Sequence, residues 1–170
     1  KMIARTIEDR VWPGTISSDE REREKRLIVS RFCRLWIKDG TEDIPFEPVY
    51  DLFNRFISNH TAVQESDIDR LVDIFSRQPQ KSHELLSDIL CLIDDWSKSR
   101  NLLSVSEKVL KALLNIDDLS SHTLRVVNYR YASLQSKLGR HSEVISILHE
   151  NDFSDLPVSY RFGKEFYLGK

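Results

Sequence analysis

The chain has 170 residues, 40% of them hydrophobic, enough for one domain with a continuous core and no need of a second. Its 27 acidic and 25 basic side chains nearly cancel to a formal −2, so no global field draws it to nucleic acid, anionic lipid or a strongly charged substrate. Cys33 and Cys91 lie inside apolar helical runs, which argues for reduced core thiols rather than a disulfide framework. No apolar run reaches the roughly 18 residues of a membrane span and no apolar h-region follows a basic start, so the expected setting is intracellular, cytoplasmic or nuclear, without membrane contact.

Five glycines and five prolines fall between periodic segments, the punctuation of a helical chain. Ile3, Ile7 and Val11 repeat at i, i+4, i+8 before Pro13-Gly14, which predicts an N-terminal arm or short helix over 1–16. A helical-repeat domain is expected over 17–170, and the opening Lys1-Met2 is compatible with a fragment of a longer protein. Ser17 and Glu20 have the spacing of a capping box, and Gly40 is expected to stop the helix in the left-handed region. Between them one stripe carries Ile28, Phe32, Leu35 and Trp36 and another carries Val29, Cys33 and Ile37, so this helix should have two neighbours.

Pro48 suits a first helical turn, and Val49, Phe53, Phe56 and Ile57 form one face of a helix ending near Asn59. Ser66 is the expected cap of the next helix, with Ile68, Leu71, Val72 and Phe75 inward. From about Ser82, Leu85, Ile89, Leu92, Ile93 and Trp96 share a face, with Leu86 and Leu90 beside it. Ser104 and Glu107 have capping-box spacing before Val109, Leu110, Leu113 and Leu114. Ser120 or Ser121 opens a helix bearing Leu124, Val127, Tyr131, Leu134 and Leu138 that ends at Gly139. Val144, Ile145 and Leu148 mark a short helix, and Pro157 begins a last one. No Asn-Gly hairpin signal and no long period-two alternation appears. The predicted fold is all-α, with antiparallel helical pairs stacked as a short α-solenoid of about seven to nine helices.

Starts compared two helices apart, Ser66 to Ser104, Ser82 to Ser120 and Ser104 to Ser142, are each 38 residues apart, as in paired-helix repeats. Within 123–154, Tyr131-Ala132 stand at a first-helix contact, Gly139 at the turn, and Gly139-Arg140-His141-Ser142-Glu143-Val144-Ile145 across the turn into the second helix. This stretch resembles a tetratricopeptide unit. It departs from that pattern at Asn128, where the family favours a large aromatic, at Gln135, where it favours tyrosine, and at Val144, where it favours alanine. The upstream helices look more like irregular HEAT-type pairs. The resemblance implies stacked helical pairs serving as a scaffold in a larger assembly.

Chemistry-bearing patterns are sparse. No glycines cluster into a phosphate loop, and His60, His83, His122, His141 and His149 are scattered, so neither a nucleotide cofactor nor a metal is expected. Asp67, Asp69 and Asp73 lack the turn glycine and terminal glutamate of a calcium loop and suit a helix N-terminus instead. Asp94-Asp95 are expected to face solvent beside a buried Trp96, and Cys33 to be a buried thiol rather than a nucleophile. Arg21, Arg23, Lys25, Arg26, Arg31 and Arg34 are interrupted by acids and read as a solvated mixed-charge face.

Two surfaces stand out. Phe153, Tyr160, Phe162, Phe166 and Tyr167 crowd the last 18 residues. There Val158, Phe162 and Phe166 repeat at i, i+4, i+8, either as a cap on the last repeat or as an apolar patch for a partner. Tyr160, Phe162, Phe166 and Tyr167 are therefore the candidate partner-binding residues. Arg125, Arg130, Lys137 and Arg140 form a basic patch suited to nucleic acid. The leading expectation is a non-enzymatic module that binds another protein within a multi-subunit assembly. The alternative is a nucleic-acid-contacting helical repeat.

Overall fold

The computed structural model describes residues 20–58, 64–78 and 81–169. The segment around Ile3 to Val11 and the cap at Ser17 lie outside the described residues. Within them the chain is all-α: α1 (Glu20–Asp39), α2 (Phe46–Ser58), α3 (Glu65–Ser76), α4 (Lys81–Ser99), α5 (Leu103–Leu114), α6 (Ser121–Lys137), α7 (His141–Glu150) and α8 (Val158–Leu168), with no strand among them. Short connections make consecutive helices antiparallel neighbours. Starts two helices apart are 38 residues apart for Glu65, Leu103 and His141, but 35, 40 and 37 apart for Phe46, Lys81, Ser121 and Val158, so the 38-residue spacing holds for one series only.

Side-chain pairs define two layers. Glu84 near the start of α4 meets Ser120 and Thr123 at the start of α6, and Asp94 near the end of α4 meets Arg130 further along α6. Tyr129 and Ser133 of α6 meet Tyr160 and Tyr167 of α8 in the same order. Thus α4, α6 and α8 run parallel, with α5 and α7 returning between them. Helix α1 departs from this stack. It packs against both α2 and α4 and runs antiparallel to α4, with Glu24 on Arg100 at 2.6 Å and Arg31 on Asp95 at 3.8 Å.

The apolar periodicity dictates the core. The predicted faces of α2 and α4 are buried throughout: Val49, Phe53, Phe56 and Ile57 on one, Leu85, Leu86, Ile89, Leu90, Leu92, Ile93 and Trp96 on the other. Phe32 stacks on Phe53 with centroids 4.4 Å apart, and Trp36 sets its edge to Phe46 at 5.4 Å, which locks α1 onto α2. A second, smaller core joins Ala132, Val144, Leu148, Phe153 and Leu156. Helix α6 serves both cores, giving Val127 and Leu134 to the first and Ala132 to the second.

Several local expectations are corrected. Ile37, Leu124 and Ile145 are exposed, so their stripes are narrower than the spacing implied. Gly40 is not left-handed; a Cβ there would run into the Trp36 carbonyl, and this close approach demands glycine. Ser66 and Ser104 are not caps. Gln64 precedes α3, and its N–H donates to Asp67 at 3.1 Å, while Leu102 precedes α5 without a side-chain cap. Ser120 does cap α6, accepting from the Thr123 N–H at 3.1 Å, and Gly139 follows its end at φ +74°.

Candidate functional site

Three adjoining hollows follow one another along α4 as a segmented trough, with the Arg130 and Asp95 pair standing between the first and the second. The first, about 310 Å³, lies between the end of α4 and α6 and α8, among Lys98, Tyr129, Ser133, Ser159 and Tyr160. The second, about 340 Å³, lies between α1 and α4 and shares Asp95 and Arg130 with the first. The third, about 540 Å³, continues past the end of α1 and shares Lys38 and Asp88 with the second. A trough of this kind needs its walls fixed, and buried ion pairs and aromatic contacts fix them.

The central fixture is Asp94. Expected in solvent beside Trp96, its side chain is instead fully buried. One carboxylate oxygen accepts from Lys98 at 2.8 Å and Arg130 at 3.0 Å, and the other from the Ser106 hydroxyl. Arg130 also donates to Asp95 at 2.6 Å, so one guanidinium bridges both acids of the pair and ties α4 to α6. A signal for this was present: Leu86, Leu90 and Asp94 repeat at i, i+4, i+8, so the acid continues a buried stripe and must find a partner there. At the other end of α4, burial pushes the Glu84 carboxyl up. Hydrogen bonds from the Ser120 N–H at 2.9 Å and the Thr123 hydroxyl at 2.7 Å outweigh it and leave the group below its ordinary range.

The predicted basic patch is dispersed among acids. Arg125 pairs with Asp155, and Arg140 donates to Glu107 at 2.7 Å. These hydrogen bonds are the main reason both carboxyls sit below their ordinary range. Arg130 is held by Asp94 and Asp95, while Lys137 is exposed. Arg130, half-buried, faces the trough; Arg125 and Arg140 sit by other ends of the stack.

The C-terminal aromatics divide as well. Tyr160 lines the trough, its ring 4.7 Å from Tyr129, and the Tyr167 hydroxyl donates to Ser133 at 3.3 Å. Phe166 is 80% exposed and Val158 52% exposed, so the face that bears them looks to solvent and does not cap the last repeat. The side chain of Phe162 lies outside what the structure describes. Helix α8 docks instead through Tyr160, Tyr167 and Leu168, and a Cβ at Gly163 would strike the Tyr129 ring.

Burial pushes the Cys33 and Cys91 thiols up to about 11, which leaves neither as a ready thiolate at neutral pH. Among the described residues no group of three or more His, Cys, Asp or Glu side chains is placed to hold a metal ion, and no helix is long and apolar enough to cross a membrane. The arrangement is that of an all-α protein whose packed helices carry a row of open, mixed-polarity hollows along α4. Family models, curated proteins and solved structures all fail to match the chain.

Proposed function

We propose that the chain is a non-enzymatic helical-repeat module that seats a segment of another protein in this trough, as a scaffold or subunit of a larger intracellular assembly. The observation that carries the reading is the succession of three adjoining hollows along α4, which share Lys38 and Asp88 at one junction and Asp95 and Arg130 at the next. An extended segment needs length more than depth, and it needs walls that do not collapse when the trough is empty. The Asp94, Arg130 and Lys98 network and the Tyr129 and Tyr160 contact meet the second requirement. The tetratricopeptide-like stretch over 123–154 contributes α6 to one wall. The nucleic-acid alternative loses support from the pairing of Arg125, Arg130 and Arg140 with acids.

Site-specific photocrosslinking in cells tests the proposal on the intact chain. A photoreactive residue at Ser159, exposed within the trough, is expected to capture one discrete partner protein. The same residue at Lys111, exposed on α5, is expected to capture none. Adducts at Phe166 without any at Ser159 would move the docking surface to the outer face of α8 and overturn the trough.

A further inference from the structure

We infer that the middle of the trough, between α1 and α4, takes an acidic segment of the partner protein that carries an apolar side chain for the Leu35 and Leu92 floor. This rests on the reading of the trough as a protein-binding site and adds the chemistry of the occupant.

Positive charge is left over on the α1 wall after internal pairing. Asp94 and Asp95 are matched by Arg130 and Lys98, so that network is neutral as a unit. Lys38 lies 3.2 Å from Asp39. On the α1 wall, Arg31, Arg34, Leu35 and Lys38 fall at i, i+3, i+4, i+7 and present a single edge to the hollow. Arg31 reaches Asp95 only at 3.8 Å and remains 57% exposed, and among the described residues no carboxylate pairs with Arg34. Two guanidinium groups therefore face the hollow against one lining acid outside that network, Asp88, which leaves it with a positive excess. Guanidinium is the side chain best suited to grip a carboxylate in two places.

The trough is also polarised along its length. Toward the end of α1, Asp39, Glu84 and Asp88 gather around Lys38. Burial, then repulsion from Asp39 and Glu84, holds the Asp88 carboxyl above its ordinary value, although part of that side chain reaches solvent. Acidic residues of a bound segment are repelled there and attracted to Arg31 and Arg34, which sets the segment's register. Between these regions Leu35, Cys91 and Leu92 offer apolar surface. That surface favours a peptide over a sugar-phosphate backbone, because Leu35 and Leu92 can seat an apolar side chain and offer a ribose hydroxyl no hydrogen-bond partner.

Selection of a random-peptide display library on the intact chain tests this, with Ser159→Trp, which fills the first hollow, and the charge reversals Arg31→Glu and Arg34→Glu in parallel. All three sites are exposed, and circular dichroism with a melting curve confirms that each variant is folded. The expected result is enrichment of peptides with Asp or Glu flanking Leu or Phe. Their affinity should fall about tenfold on Arg34→Glu and decline as salt rises. Peptides that are lost on Ser159→Trp but show neither acidic bias nor sensitivity to Arg34→Glu would overturn this inference and leave the trough as a docking site. The absence of any peptide sensitive to these substitutions would overturn both. Binding of an oligouridine probe that Arg34→Glu abolishes, with no peptide selected, would overturn both in favour of nucleic acid.

Discussion

Asp94 is fully buried and takes donors from Lys98, Arg130 and Ser106, so one carboxylate links α4, α5 and α6. Removing one member of a buried ion pair leaves the others charged and unmatched, which costs about 3–5 kcal/mol in comparable settings. Lys98 and Arg130 keep some solvent, at 16% and 22% exposure, so the lower end of that range applies. Asp94→Ala is accordingly expected to cost about 3 kcal/mol in urea unfolding at neutral pH. Removing the orphaned cation as well relieves part of that loss. Asp94→Ala with Arg130→Met should be less destabilised than the sum of the single variants by about 1–3 kcal/mol, and strict additivity would show that the network is not a unit.

At the scale of elements, α8 is held by a close approach rather than by a broad apolar stripe. Tyr129 packs against Phe153, Tyr160 and Tyr167, and Gly163 lets the helix backbone come down on its ring. In a helix interior alanine is favoured over glycine by about 1 kcal/mol, while overpacking costs about 1–3 kcal/mol, so two opposed terms meet at Gly163. Gly163→Ala should lower the melting temperature of the natural chain and raise it in a Tyr129→Ala background, where the ring is gone. The same sign in both backgrounds would remove Tyr129 from the account. The sequence carried the helices and their buried faces clearly, because Leu85, Ile89 and Leu92 or Val49, Phe53 and Phe56 need only their own periodicity to be recognised. It did not carry what depends on partners far along the chain. Arg130 stands 36 residues from Asp94, and the Tyr129 contact that selects which face of α8 turns inward lies 31 residues before Tyr160. The caps failed locally: Ser66 and Ser104 are sound cap residues, but α3 and α5 begin one residue before them, α3 behind Gln64 and Asp67 and α5 behind Leu102 with no side-chain cap.

For the whole molecule, the division into two cores sets how it opens. Among the described residues the first core counts 26 buried apolar side chains drawn from α1 to α6, and the second counts five, from α6, α7 and the segment before α8. Each fully buried Leu, Ile or Phe adds roughly 1.5–3 kcal/mol before entropy, so the second core supplies far less cohesion per ordered helix. Among the described residues the side-chain hydrogen bonds that tie this end down are few: Tyr167 to Ser133, Asn128 to Asn151 at 3.1 Å, Lys164 to the Asn151 carbonyl at 3.1 Å, and Arg125 to Asp155. The terminal unit therefore opens below the free energy of global unfolding, with α7 and α8 separating from α6 while α6 stays on the first core through Val127 and Leu134. Native-state hydrogen exchange with low denaturant should show α8 and α7 exchanging through this partial opening. Amides of α4 and α5 should exchange only with global unfolding. Tyr129→Ala should speed exchange in α7 and α8 and leave α4 unchanged. Equal protection of α8 and α4 would mean that the two cores melt as one, and the wall of the trough formed by Tyr160 would then be as permanent as the wall formed by α1.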